Sequence, residues 1–280
     1  MGRVSRDSVN RQQPHDGVCS QRFSHRERTF VSNSLVVIPT YCERENLAPL
    51  VERFLAADRT LEVLVVDDNS PDGTGDLADQ LSAKNARIHV MHRPGKQGLG
   101  AAYIAGFEWA LDRDYDYIFE SDADGSHQPE QLPALMRQLE DGAGLVIGTR
   151  WMPGGETRNW PLKRQLLSKG GSLFSRVMLR TKLRDITSGF RGFRASSLRA
   201  LDLNTLESQG YCFQIEMAWR AEQLGIIVRE EPILFIERTD GQSKMSGSIV
   251  FEAMWSVFMW GLRDRTVAEP AQGISPVRQR

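Results

Sequence analysis

The sequence predicts an α/β fold with a mostly parallel central sheet and helices on both faces. Three observations carry that expectation. From Ser34 onward, strand-like and helix-like segments alternate with short connections. The strand-like runs are continuously apolar, so both of their faces must be covered, unlike a sheet open to water on one side. The unusual polar residues gather just after the strands, at the carboxyl edge where open parallel sheets take their ligands.

The elements follow in order. "SLVVI" is a short apolar run ended by Pro39, and "ENLAPLVERFLAA" has helical spacing. "LEVLVVD" is a second strand ending at Asp67 and Asp68; "GTGDLADQLSAKN" is helical and "RIHVM" is a third strand. "GLGAAYIAGFEWALD" is the third helix, "YDYIF" the fourth strand, "PEQLPALMRQLEDG" a helix and "GLVIGT" the fifth strand. Four of these strands run into polar loops: Pro39-Thr40-Tyr41-Cys42-Glu43, Asp67 to Gly73, Lys96 to Gly100, and Asp122-Ala123-Asp124.

Composition narrows the function. With 35 Lys and Arg against 36 Asp and Glu, the net charge is close to neutral, so bulk electrostatics do not point to nucleic acid. An anionic ligand must then be held by a local basic cluster. Cys19, Cys42 and Cys212 are far apart and form neither a disulfide framework nor a zinc pattern. Residues 1–33 are polar, rich in Arg, Ser and Gln, and read as a disordered tail; residues 266–280 read likewise. No run reaches the ~18 apolar residues that mark a membrane span.

In "YIFESDADGSHQPE", two like charges, Asp122 and Asp124, end an apolar strand. Carboxylates buried together need a shared proton or a cation. Hard oxygen ligands suit Mg²⁺ or Mn²⁺, which take one or two carboxylates and complete their shell with phosphate and water. An EF-hand loop is excluded, since His127 and Pro133 stand where Gly and Glu are required. The glycines at 95, 98, 100 and 106 have the wrong spacing for a dinucleotide fingerprint. Alone, the D-x-D also fits a pair of solvated turn aspartates; three further polar loops on the same edge favour a site.

Downstream, Arg150 ends the fifth strand and a long helix opens near Trp160-Pro161, with Arg164 in its first turn. "LRDITSGFRGFRASSL", with Asp185, Thr187, Ser188 and Arg191, reads as compact and turn-rich. "GYCFQIEMAWRAEQLG" is helical, with Gln214 and Glu216 near its start, and "IIVREEPILFIER" is a strand pair or one long strand. "ERTDGQSK" is a Gly/Ser loop flanked by Arg238 and Lys244, suited to a pyrophosphate. In residues 246–265 the run Ile249 to Leu262 carries only Glu252 as a charge and would span ~21 Å as a helix. It fits either a helix packed on the domain or one lying in a membrane interface, where Trp is favoured.

Taken together, "VVIPTYCERENL", "VLVVDDNSPDGTGDLAD", "GLGAAYIAGF", "DADGSHQPE", "DITSGFRGFR", "GYCFQIEM" and "ER…SKMS" resemble the polyprenol-phosphate (dolichol-phosphate) mannosyltransferases of bacterial type. These are inverting family 2 glycosyltransferases with the GT-A fold, and the resemblance covers roughly residues 33 to 265. It implies a catalytic domain over 34–245, with Pro39, Tyr41, Glu43, Asp67, Asp68 and Ala123 lining the nucleotide pocket. It implies Asp122 and Asp124 as ligands of Mg²⁺ or Mn²⁺, with Ser126 where some relatives carry a third, Gln ligand. Arg150, Arg164, Arg238 and Lys244 would hold the donor diphosphate and the lipid phosphate. Cys42 departs from the Asn common in "PTYNE", with little catalytic effect expected. The implied reaction is transfer of mannose from GDP-mannose to polyprenyl phosphate, giving a β-linked product and GDP. The enzyme would sit peripherally on the cytoplasmic face of a membrane, alone or with a separate membrane-anchor protein. The rivals are a UDP-glucose-dependent enzyme of the same fold and a non-catalytic nucleotide-sugar-binding protein.

Overall fold

The computed structural model describes residues 33–206, 212–237 and 247–267. The expectations placed on residues 1–32 and 268–280, and on Arg238 and Lys244, fall outside these. The first half alternates as expected: β1 (Ser34–Thr40), α1 (Arg44–Ala57), β2 (Leu61–Asp67), α2 (Thr74–Lys84), β3 (Ile88–His92), α3 (Leu99–Leu111), β4 (Tyr117–Glu120), α4 (Leu132–Glu140) and β5 (Leu145–Thr149). The second half adds β6 (Glu156–Arg158), α5 (Leu162–Leu179), β7 (Arg191–Arg194), α6 (Ala195–Ala200), α7 (Cys212–Gln223), β8 (Val228–Pro232), β9 (Leu234–Ile236) and α8 (Gly247–Val267).

Seven strands form the main sheet in the order β3-β2-β1-β4-β7-β5-β8, and β6 pairs with β9 in a second, two-stranded sheet. All pairings in the main sheet are parallel except those of β7, which runs antiparallel between β4 and β5. The apolar runs explain the layering. Alternate residues of one strand feed opposite cores: Leu35 and Val37 pack with Tyr103 and Phe107 of α3 and Phe213 of α7. Val36 and Ile38 pack with Leu47, Val51 and Phe54 of α1 and Leu135 of α4. Gly106 lets α3 lie directly on β1, because a Cβ there would strike the Val37 side chain.

The structure differs from the expectation in three places. "FRGFR" is a central strand, β7, inside the segment read as turns. It is only four residues long and carries Arg at both ends, so it lacks the apolar run that marked the others. "IIVREEPILFIER" divides at Pro232 and Ile233 into β8 and β9, which belong to different sheets. The last helix has 21 residues, about 31 Å at 1.5 Å per residue, because it continues through the charged residues beyond Leu262.

α8 packs on the domain along one side, as the first of its two readings expects. Val257 and Trp260 are buried, Trp260 stacks on Trp219 at 5.7 Å, and Gly261 lies against the Met178 carbonyl of α5. The opposite side exposes Phe251, Met254, Trp255, Phe258 and Leu262. Neighbouring α5 exposes Leu162, Leu166, Leu167, Leu173 and Val177. No described helix is long and apolar enough to cross a membrane.

Candidate active site

The loops after β1 and β2 are tied together at the carboxyl edge. Asp67 accepts from Thr40 Oγ1 (3.0 Å) and Ser70 Oγ (2.6 Å) on one oxygen and from Ser70 N–H (3.0 Å) on the other. Ser70 Oγ accepts the Cys42 N–H (3.1 Å), and Thr74 Oγ1 accepts that of Glu43 (3.1 Å). Cys42 and Asn69 both take left-handed backbone, with φ of 58° and 56°, which turns the chain sharply off each strand. Asp67 thus organises the two loops. Asp68 is the carboxylate beside them, gripped by Arg93 Nη1 at 2.5 Å, with Arg93 Nη2 donating to Gln97 at 3.0 Å. Burial raises the Asp68 carboxyl above its ordinary range and Arg93 opposes the rise. Tyr41 presents its ring with Lys96 Nζ 4.5 Å from the centroid; Pro39 ends the same strand and Glu43 is buried, accepting from Asn46 Nδ2 at 3.0 Å.

One strand over, β4 ends at Glu120 and, through Ser121, delivers the acidic pair. Asp122 Oδ1 accepts from Tyr103 OH at 3.4 Å, and Asp124 Oδ1 accepts the Ser126 N–H at 3.0 Å across Gly125, whose φ is +73°. Ser126 therefore closes the turn through its backbone, and its side chain is buried beside it. β7 explains how the "DITSG" segment reaches this place: an antiparallel strand begins at the edge where its parallel neighbours end. A Cβ on Gly189 would lie 3.4 Å from Asp122 Oδ2 and 2.8 Å from Gln214 Nε2, so the bare glycine lets the Gln214 amide and the Asp122 carboxylate pack against the backbone. Among the described residues no three His, Cys, Asp or Glu side chains form a self-sufficient metal cluster. Two carboxylates at one strand end suit a hard cation that completes its shell with phosphate oxygens.

Beneath the pair, Glu120 is fully buried with Arg191 Nε 3.2 Å away. Burial pushes the Glu120 carboxyl up to about 8, a rise Arg191 opposes and Asp122 adds to. Arg191 donates to the carbonyls of Ser188, Gln214 and Ile186 at 2.7, 2.6 and 2.6 Å, pinning the segment before β7 to α7.

The basic side is built around Trp160. Arg150 lies 4.9 Å from its centroid and Arg164 5.8 Å, while Trp151 stacks on it at 5.7 Å. Arg150 is held by buried Asp185 through Nε and Nη2 (both 2.7 Å), and Nη2 also reaches Thr187 Oγ1 and Ser168 Oγ. Arg164 pairs with Glu237 just past β9. Phe235 of β9 joins the two sides, packing 5.3 Å from Arg150 and edge-on to His127 at 5.7 Å. The Ile236 N–H donates to the Ser126 carbonyl at 3.1 Å. His127 also stacks on Phe190 at 5.3 Å, and burial holds its imidazole down at about 4.

Pro39, Tyr41, Glu43, Asp67, Asp68, Asp122, Ala123, Asp124 and Ser126 thus stand at one carboxyl edge; Arg150 joins the acidic loop through Phe235 and His127, and Arg164 through Trp160, which packs on Phe235. Sequence reasoning gave no role to Asp185, Thr187, Ser168, Trp160 or Glu237. Asp185 and Thr187 stand in the turn-rich segment, but only the antiparallel course of β7 brings them to Arg150. Glu237 carried no signal beyond its place next to Arg238.

This is the arrangement of a GT-A nucleotide-sugar transferase, and residues 35–202 match the model of glycosyl transferase family 2. The chain belongs to that family. It is 53% identical over 233 residues to the polyprenol monophosphomannose synthase of Mycolicibacterium smegmatis, covering 83% of this chain and 88% of that one. It is 53% identical over 231 residues to the undecaprenyl-phosphate mannosyltransferase of Micrococcus luteus, covering 82% and 95%. Among solved structures, glucosyl-3-phosphoglycerate synthase of Mycobacterium tuberculosis with Mn²⁺ and UDP shares the fold at TM-score 0.58 and 18% identity, over 86% of this chain and 82% of that one. A mannosyltransferase of Pyrobaculum calidifontis with GDP-Man and Mn²⁺ does so at 0.51 and 15%, over 86% and 77%.

Proposed function

We propose that this glycosyltransferase moves mannose from GDP-mannose to polyprenyl phosphate in one inverting step. The observation that carries the reading is the junction at Phe235 and His127. It sets an acidic pair suited to a metal–diphosphate beside two arginines suited to a phosphate monoester, and the two 53% identical relatives have that acceptor chemistry in their names. Tyr41, Glu43 and Asp68 hold the nucleoside. Asp122 and Asp124 hold the metal–diphosphate. Arg150 and Arg164 orient the acceptor phosphate, with Arg238 and Lys244 completing the basic set.

An acceptor phosphate oxygen attacks the anomeric carbon as the bond to GDP breaks, and the electron pair leaves with GDP. No proton moves in this step, because a phosphate monoester with a second pKa near ~6 is already mostly ionised. A carboxylate base near the acceptor, which a sugar hydroxyl would require, is therefore unnecessary. Bound Mg²⁺ or Mn²⁺ would neutralise the charge that grows on the diphosphate. The chain's own residues orient both phosphates, with half-buried Trp160 and buried Phe235 as the surface between them.

The acceptor is a lipid, and α5 and α8 supply a face for it. α5 and its cap carry Lys163, Arg164, Lys169, Arg176 and Arg180 and no acidic residue, flanking the exposed leucines. This fits the surface of an anionic bilayer. The reading is tested with labelled GDP-mannose or UDP-glucose, polyprenyl phosphate and Mn²⁺ or Mg²⁺. EDTA-sensitive lipid-phase label from GDP-mannose alone supports it; label from UDP-glucose instead, or none, refutes it.

A further inference from the structure

We propose that Glu237 competes with the acceptor phosphate for Arg164, so that this carboxylate sets how tightly the phosphate monoester is held. The inference rests on the reading of Arg164 as an acceptor-phosphate ligand and adds a residue to which that reading gives no part.

The two arginines beside Trp160 carry different counter-ions. Arg150 is 7% exposed at its side chain, and its partner Asp185 is wholly buried. Asp185 also accepts the Arg150 N–H at 2.9 Å and the Thr187 hydroxyl at 3.2 Å. That carboxylate cannot leave without abandoning several donors, so it is a fixed part of the frame. Arg164 is 32% exposed at its side chain and is the one an incoming anion can meet. Its partner Glu237 uses one oxygen on Arg164, while the other, Oε2, is buried with no hydrogen-bond partner among the described residues. A carboxylate held at one oxygen and unsatisfied at the other is poorly anchored.

The backbone of Glu237 is fixed. Its N–H donates to the Arg158 carbonyl at 3.0 Å, and Ile236 before it is bonded to Ser126. The side chain can therefore swing off Arg164 while the strand stays in place. A phosphate dianion arriving at Arg164 either displaces the carboxylate or lies against it, and both outcomes weaken its binding. The site would hold phosphate less tightly than two arginines alone would, which eases departure of the glycosylated product, whose phosphate carries one charge less.

Steady-state kinetics on the full chain test this, with Glu237→Gln, Glu237→Asp, Arg164→Ala and the Glu237→Gln/Arg164→Ala pair. Glu237→Gln should lower the KM for polyprenyl phosphate, and the inhibition constant of inorganic phosphate, by about fivefold or more. The KM for GDP-mannose should stay within about twofold, as for an uncoupled site. Glu237→Asp keeps the charge and should stay nearer the parent, a difference that a merely structural role would not produce. The pair should lose the gain. An acceptor KM unchanged or raised in Glu237→Gln, with Arg164→Ala still raising it, overturns the competition and leaves the acceptor site standing. An Arg164→Ala acceptor KM equal to the parent's overturns both.

Discussion

Replacing Asp185 with Asn tests the frame of the basic side. Asp185 accepts from Arg150 N, Nε and Nη2 and from Thr187 Oγ1, all inside a fully buried site. Asparagine keeps one carbonyl acceptor but points an NH₂ group at a guanidinium that also only donates. Arg150, itself buried, is left with an uncompensated charge. Removing one member of a buried pair costs about 3–5 kcal/mol. At roughly 2–4 °C per kcal/mol for a domain of this size, the melting midpoint should fall by about 6–20 °C. Thermal melts followed by circular dichroism measure it. Replacing both partners, Arg150→Met with Asp185→Leu, should recover most of that stability, since an apolar pair of similar volume is often no worse than a buried ion pair. Under the proposed function it should not recover transfer, because the arginine read as an acceptor-phosphate ligand is gone. An Asp185→Asn midpoint within about 2 °C of the parent, the shift of no more than ~1 kcal/mol, would refute this account. So would transfer restored in the apolar pair.

Four further outcomes are expected. Asp124→Asn should cut transfer by at least ~10²-fold, the scale of losing one charge-stabilising group, with an unchanged melt; full activity would remove Asp124 from the metal site. Leu162→Glu with Leu166→Glu should abolish sedimentation with anionic vesicles while leaving GDP-mannose binding intact, and undiminished sedimentation would count against α5 as a membrane-binding face. Cys42→Asn should stabilise by about 0.5–1 kcal/mol, because Cys42 holds a left-handed φ that Asn tolerates better; a lowered denaturant midpoint would count against it. The imidazole of His127 is held near 4 by burial, against ~6.5 in the unfolded chain. Between these values the unfolded state binds more protons, so stability rises with pH and is complete above about 6.5. His127→Phe should flatten that rise, and identical stability–pH slopes would refute the assignment.

Much of this was legible because one signal repeated. In residues 34–150 each strand is an apolar run that ends in a polar loop, and the parallel sheet converts that order into a single edge. Thus Tyr41, Asp68 and Asp122, distant in sequence, could be placed on one side before any contact was known. The second half breaks the rule. β7 has four residues, two of them Arg, and its antiparallel course is set by its neighbours β4 and β5, with no pattern of its own to show it. With β7 hidden, the pairing of Arg150 with Asp185 across 35 positions was hidden too. α8 shows a different limit. Its sequence is apolar on nearly every side, and only packing on α5 and α7 decides which residues are covered and which face outward.

The reversed strand also bears on how such an enzyme can be altered. β7 divides the sheet into β3-β2-β1-β4 on one side and β5-β8 on the other. The loops carrying Tyr41, Asp68 and Asp122 hang from the first group and Arg150 from the second, and they meet through Phe235 and His127. Each half can then diverge with little disturbance to the other, provided that seam is kept. The match to the family ends at residue 202, before α7, β9 and α8. Under the proposed function, chimeras that exchange residues 33–120 and preserve the seam should change the sugar nucleotide used while leaving the acceptor unchanged.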